Sequence, residues 1–363
     1  MKCIRKVSRL ESFVKGYEPG DWWIGIDVHK RSYAIALRRS DAQIHTWTSP
    51  ADPQGFIEQL SRLGIHPCGV AQEAGPTGFD LARALTRAGI RAIVAAPSRI
   101  PRPVLADAKS DRLDCRRLAE YAARGMLNCI AVPTEEEEAF RALVRRRQAV
   151  TDQIRRCKQR IKALFLYHDL PAAPEIASWS ADALDRVANW PLPAELRAVC
   201  DSLLDELSAH TANQRGIDQR LEECLSRQTV WHAQLQALCT VPGVGPRVAQ
   251  TFLAEVFRPE RFDSAGEVTS YLGLAPMVHH SGESAPRGRI RPVGQQRLRS
   301  LLVEAAWVWK ARDAGAQDLY ARLLGRMGIS QKAIVALARR LTEILWRIAM
   351  EQRPYYPMKS YES

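Results

Sequence analysis

No two cysteines in this chain stand as C-x-x-C, although there are eight of them, Cys3, Cys68, Cys115, Cys129, Cys157, Cys200, Cys224 and Cys239. Scattered in this way they argue against a zinc ribbon and against a disulfide framework, and they read as reduced thiols of a cytosolic protein. Nowhere does an apolar run approach the ~20 residues that a membrane span needs. The N-terminal MKCIRKVSRLESF also lacks the continuous apolar core of a signal peptide, so a soluble, cytoplasmic protein with no membrane partner is expected. Acidic residues are scarce relative to basic ones, 40 against 52, which gives a net charge of +12 and a pI near 9.5. The shortage is uneven, since residues 287–359 hold fifteen Lys or Arg against five acids. An acidic partner follows, with nucleic acid the leading candidate. The 363 residues leave room for two or three domains, each with its own core.

What is present concentrates in Tyr271 to Arg299. The apolar YLGLAP gives way to Ser281-Gly282, and then Arg287, Arg289, Arg291, Arg297 and Arg299 follow without one acidic residue among them. Guanidiniums bind phosphates by paired hydrogen bonds as well as by charge, so this is a hydroxyl among phosphate-binding groups. A serine needs activation before it attacks a phosphate. Ser281 therefore stays an ordinary polar turn residue unless a metal or an acid/base group is supplied elsewhere. Tyr271 is a rival nucleophile, although its apolar surroundings suit core packing better. His279 and His280 read as polar turn residues or phosphate contacts.

Residues 1–20 read as a basic tail. From Trp22 the pattern predicts strands over Trp22–His29, Ser32–Leu37 and Gln43–Thr48, a helix over Gln54–Leu63, and a strand from Pro67 that ends at Glu73. A helix over Phe79–Ala88, a strand over Ile90–Ala95 and a helix from Ser110 to about Gly125 complete the alternation. Asp27 interrupts a β-rich apolar run, where a carboxylate is costly to bury unless it is paired or metal-bound. Asp111 and Asp114 are three apart and share one helix face. Together, Asp27, Glu73, Asp111 and Asp114 form an ordered Asp-Glu-Asp-Asp set on β-β-β-α-β-α-β-α, the all-oxygen donor set that a pair of hard divalent cations requires. RNase H-like and RuvC-like nuclease folds use this arrangement.

Between the halves the period changes. Phe140, Arg147, Ile154, Ile161 and His168 with Leu143, Val150, Cys157 and Leu164 mark a heptad seam, and residues from Leu196 repeat it through Leu203, His210 and Ile217. Two such helices form a hairpin or pair between subunits. A basic face that includes Arg145, Arg155 and Arg160 reads as solvated surface or as a nucleic-acid rail. Pro171 to Pro193 reads as a linker or hairpin turn. Further on, Val241-Pro242-Gly243-Val244-Gly245-Pro246-Arg247 is either a helix-hairpin-helix-like phosphate contact or just a tight corner.

The segments WWIGIDVHK, AQEAGPTGFDLARAL, AKSDRLDCRRLAEYA, LCTVPGVGPRVAQTFLAEV and SYLGLAPMVHHSGESAPRGRIRPVGQQRLR, in that order, resemble the DEDD transposases of the insertion-sequence-110 family, which includes pilin-gene invertases. The resemblance spans roughly residues 22 to 350. It implies a RuvC-like α/β domain whose Asp27, Glu73, Asp111 and Asp114 bind magnesium, with manganese an alternative, and a C-terminal domain whose Ser281 becomes covalently joined to DNA. It also implies a structured guide RNA that pairs with donor and target DNA. Recombination of two duplexes calls for a homo-oligomer, a dimer or tetramer. Arg247, Arg287, Arg289, Arg291, Arg297 and Arg299 are the nucleic-acid-binding candidates. The family's usual Thr-Lys-x-Gly-Asn is here Arg291-Pro292-Val293-Gly294-Gln295, and its alanine after the second Asp is Cys115. The expected organisation is a tail (1–20), a RuvC-like catalytic domain (21–132), a helical coiled-coil region (133–230) and a mainly α C-terminal transposase domain with a helix-hairpin-helix-like motif (231–363). The alternatives are a RuvC-like junction nuclease acting by water attack and a non-catalytic nucleic-acid-binding scaffold.

Overall fold

The structure is a computed structural model that describes residues 9–15, 22–101, 111–170, 178–278, 287–290 and 294–357. The chain forms two compact units, Met1–Thr134 and Glu135–Ser363.

The first unit is built on a five-stranded mixed sheet of order β3-β2-β1-β4-β5. Its strands are β1 (Trp22–Val28), β2 (Ser32–Arg38), β3 (Ile44–Pro50), β4 (Pro67–Glu73) and β5 (Ala92–Ala95). The first three form an antiparallel meander, whereas β4 and β5 run parallel to β1. Helices α1 (Pro53–Arg62) and α2 (Asp80–Arg87) supply the crossovers, and α3 (Asp111–Ala123) follows β5. Asp52 starts α1 by accepting a hydrogen bond from the Gln54 amide, with Pro53 at the first helical position where its missing N–H costs nothing.

The period-2 alternation of β1 separates two environments. Trp22, Ile24 and Ile26 enter a core with Phe56, Leu60, Leu81 and Leu85 from α1 and α2. Trp23, Gly25 and Asp27 take the other face, on which α3 lies. Residues 9–14, expected within a loose tail, are helical, and Leu10 is buried in the same core with Phe13 and Val14 against it. The lead is thus partly integrated, because its apolar residues fall on one side of a turn of helix.

The second unit is helical apart from a two-stranded ribbon, β6 (Pro276–Val278) and β7 (Arg287–Ile290). Its two long helices, α4 (Glu135–Tyr167) and α6 (Ala194–Arg227), pack antiparallel in one chain. Residues 147, 151 and 160 of the first meet residues 218, 214 and 206 of the second, and Gln228, just past the end of the second, reaches Glu136 at the start of the first. Seam residues Val150, Cys157, Ile161 and Ile217 are buried as their spacing predicts, with Leu207 and Leu221 of the returning helix, so the seam is filled by an intramolecular hairpin. The connection contains its own helix α5 (Ala181–Ala188), capped by Ser180, whose Trp190 and Val187 carbonyls are gathered by Arg197. Helices α7 (Thr229–Cys239), α8 (Pro246–Val256), α9 (Ala265–Tyr271), α10 (Gln296–Arg312), α11 (Ala314–Met327) and α12 (Ser330–Glu351) enclose a core around Leu238, Phe252, Leu302, Trp309 and Leu341. No helix among the described residues is long and apolar enough to cross a membrane.

Candidate active site and nucleic-acid interface

The carboxylates take their places from the β1–β4 register. Ile26 pairs with Gln72, so Asp27 and Glu73 are the next residues along, at the C-terminal ends of adjacent parallel strands and on the same face. That face is covered by α3 because residue 25 has no side chain. A Cβ there would lie 2.1 Å from the Cys115 carbonyl oxygen and 2.4 Å from the Ala119 amide nitrogen. Gly25 thus permits the contact that brings the N-terminal turn of α3, with Asp114, to the end of β1 that carries Asp27. Cys115 is fully buried at this contact, and burial pushes its thiol up to about 11, which keeps it a small neutral group as expected of an alanine replacement.

Asp27 and Asp114 are partly exposed, and Glu73 is exposed. His29 Nε2 stands 3.4 Å from Asp27 Oδ2, and Arg117 Nη1 stands 3.6 Å from Asp114 Oδ1. Asp111 begins α3, and its side chain lies outside the described residues, as does Ser110, expected from its sequence as the cap. The donors are oxygen only and reach solvent, which suits hard divalent cations.

An ion pair that sequence reading missed fixes α3 on the sheet. Arg38 of β2 donates through Nε to Glu120 Oε2 at 2.7 Å, and Arg124 adds a second contact at 2.6 Å. The Arg38 hydrogen bond holds the Glu120 carboxyl below its ordinary range. A depressed carboxylate contributes stability at neutral pH that is lost as the pH falls through the folded-state value. Glu120→Ala should therefore weaken α3 protection in amide hydrogen exchange at pH 7 by about 2 kcal/mol, since Arg38 keeps a poorly solvated guanidinium without this partner. The difference from the native chain should vanish under acid conditions, and a constant difference at all pH values would point to packing instead.

In the second unit, Arg247 at the N-terminus of α8 and Arg297 at the N-terminus of α10 are exposed and line one polar groove of about 980 Å³, together with Arg145, Gln148 and Arg155 of α4. Sequence spacing placed Arg247 and Arg297 fifty residues apart, and helix packing brings them together. Asp152, Glu255 and Glu304 also line it, but Glu255 and Asp152 pair with Arg145 and Arg155, so Arg247 and Arg297 at two helix N-termini are the guanidiniums suited to phosphate. The basic face of α4 is only partly available: Arg145 forms a bidentate pair with buried Glu255 at 2.8 Å, and Arg160 pairs with Glu206. Arg299 turns to the Gly273 carbonyl. Arg287 and Arg289 lie on β7 with side chains outside the described residues, as do Ser281, His279, His280 and Arg291 altogether.

The two glycines of the Val-Pro-Gly-Val-Gly-Pro turn divide between its two readings. Gly243, at φ +88°, lets the turn press on α10, where a Cβ would lie 2.5 Å from the Ala305 carbonyl oxygen. Gly245 has open space around it and precedes α8, so its part of the turn faces outward. Tyr271 donates its hydroxyl to the Glu255 carbonyl and packs on Phe262 and Arg261, in keeping with a structural role. Gly294, at φ +87°, fits against the Tyr271 carbonyl oxygen at 2.5 Å from where its Cβ would be, so Gly is required at that position whatever the neighbouring departures from the family pattern.

Comparison with known proteins assigns both units. A transposase profile, DEDD of the insertion-sequence-110 type, matches residues 24–168, and the profile described as "Transposase IS116/IS110/IS902 family" matches residues 235–321. A protein of Sinorhizobium fredii, "Putative transposase y4qE", is 31% identical over 91% of this chain and 89% of its own. The chain belongs to the IS110 transposase family. This transposase is also 25% identical to the transposase for insertion sequence element IS1533 of Leptospira borgpetersenii, over 88% of this chain and 92% of that one. It is 23% identical to the pilin gene-inverting protein of Moraxella lacunata, over 92% and 97%. It is accordingly a DNA transposase or recombinase, its substrates are DNA, and a DEDD domain implies dependence on divalent metal in general.

For this transposase the groove yields a direct expectation. Arg247→Ala with Arg297→Ala should weaken binding similarly on all DNA sequences and lower the slope of log affinity against log salt by about 2, one for each phosphate left without its guanidinium. Fluorescence anisotropy across a salt series reads both quantities, and a loss confined to one base pair would mark the two arginines as groove readers instead.

Proposed function

We propose that this transposase cuts and rejoins DNA through a serine–DNA ester on Ser281, with magnesium held by Asp27, Glu73, Asp111 and Asp114, in a RuvC-like domain. The observation that carries the metal part is the β1–β4 register with Gly25, by which strand ends and the first turn of α3 present oxygen donors on one side of one sheet. When bound, the metal polarises the scissile phosphate and stabilises the departing oxygen. Ser281 Oγ forms the new bond to phosphorus while one phosphodiester P–O bond breaks, and the serine proton passes to the leaving oxygen through solvent. The bond energy stays in the phosphoserine, so a new DNA hydroxyl reverses the step and completes exchange.

Arg287, Arg289 and Arg291, close to Ser281 in sequence, would neutralise the attacked phosphate, and Arg247 and Arg297 would hold the flanking backbone. A structured RNA pairing with donor and target would choose the sites, and the protein would act as a dimer or tetramer. A reaction on labelled DNA, denatured midway and digested, should yield a peptide containing Ser281 with a nucleotide attached. Cleavage with no protein-bound DNA at any time would favour water attack at the carboxylates.

A further inference from the structure

The α4–α6 hairpin carries a group of side chains that neither the carboxylate site nor the groove uses. Cys157 lies on α4 and is fully buried, whereas Glu206 and His210 lie one turn apart on α6, facing it. Their sulfur, oxygen and nitrogen atoms are all within 4.8 Å of one another, and no other set of three possible metal-ligating groups of His, Cys, Asp and Glu among the described residues converges so closely. Glu206 Oε1 is 3.5 Å from His210 Nε2.

We infer that Cys157, Glu206 and His210 form a second metal site, for a zinc-class divalent ion, that clips the two long helices together. Tetrahedral zinc holds thiolate, imidazole and carboxylate ligands at about 2.0–2.3 Å, which places ligand atoms roughly 3.3–3.8 Å apart. The three groups, within 4.8 Å of one another, need to close by no more than about 1–1.5 Å to meet that geometry, a movement within side-chain rotation. Both ends of the site are anchored. Cys157 sits in an apolar cluster with Ile161, Phe165 and Leu207, and Arg160 steadies the Glu206 carboxylate through Nη1 at 3.2 Å. A carboxylate held by an arginine is an oriented ligand. Glu206 and His210 are partly exposed, so the fourth position opens to water on the α6 side.

The donor set separates this site from the catalytic carboxylates. Asp27, Glu73, Asp111 and Asp114 offer oxygen alone and select hard ions, whereas a thiolate with an imidazole selects a borderline or soft one. The heptad pattern puts both Cys157 and His210 in the helical seam. Their position opposite one another across the hairpin gives both a purpose.

The test uses the full chain, stripped with chelator and held in excess magnesium, titrated with cobalt(II) as the probe. Expected is one thiolate-to-cobalt charge-transfer band per chain, removed by zinc, absent in Cys157→Ser and at least about tenfold weaker in affinity in His210→Gln. Asp27→Asn should keep the band, and Cys224→Ser should keep it too. Zinc should raise the melting temperature of the native chain and leave that of His210→Gln unmoved, with circular dichroism verifying that both variants retain their helices. Absence of the band, its survival in Cys157→Ser, or an equal zinc-induced rise in the native chain and His210→Gln would overturn the assignment.

Discussion

Replacing Asp27 by asparagine should leave a folded protein that binds DNA as before and cuts it on the order of 10³-fold more slowly or worse, the scale on which removing one transition-state charge stabiliser is felt. The change is nearly isosteric. Asp27 sits at the solvent end of β1, outside the core formed by Trp22, Ile24 and Ile26, so the sheet loses no packing. What it loses is a formal charge at the point where β1, β4 and α3 meet. Chelation by EDTA should mimic the variant, and magnesium should restore the native chain alone. Native cutting rates in the asparagine variant would remove the carboxylate set from the mechanism.

Ser281→Ala divides two chemistries. If its hydroxyl is the nucleophile, the variant should form no protein–DNA ester, and strand exchange should fall by about 10⁴-fold or more, the scale expected when a covalent nucleophile is deleted. DNA affinity should be unchanged, because only an oxygen is removed from a segment whose arginines remain. Ser284→Ala, three residues on, serves as the control and should behave as native. A Ser281→Ala protein that still cuts but cannot rejoin would assign cutting to water and confine the serine to a lesser part.

The sheet was the most legible part of the chain, and for a physical reason. Strand alternation and helical periodicity are local signals, so the expected strands and helices of the first unit lie within a few residues of those observed. The close approach at Gly25 was not legible, because nothing local distinguishes a glycine that admits a helix from one that merely weakens a strand. The heptads named the seam residues but left open whether the partner was another subunit. That was settled by pairs such as Thr151 with Gln214 and Arg147 with Asp218, which depend on the direction of the returning helix. The basic face of α4 stayed open between solvated surface and nucleic-acid rail, since the partner of Arg145 is Glu255, more than a hundred residues away. Conversely, Arg247 and Arg297 were visible singly, and their shared groove was not.

Gly294 also has a bearing on how the Ser281 segment can be altered. The chain leaves the Tyr271–Gly273 turn toward β6, and at Gly294 it comes back against that same turn, where Arg299 also fastens on the Gly273 carbonyl. Departure and return are therefore pinned to a common point. Closure entropy grows only with the logarithm of length, about 0.6 kcal/mol per doubling. A change in the number of residues between the two moorings should therefore leave the helical core beneath them nearly undisturbed.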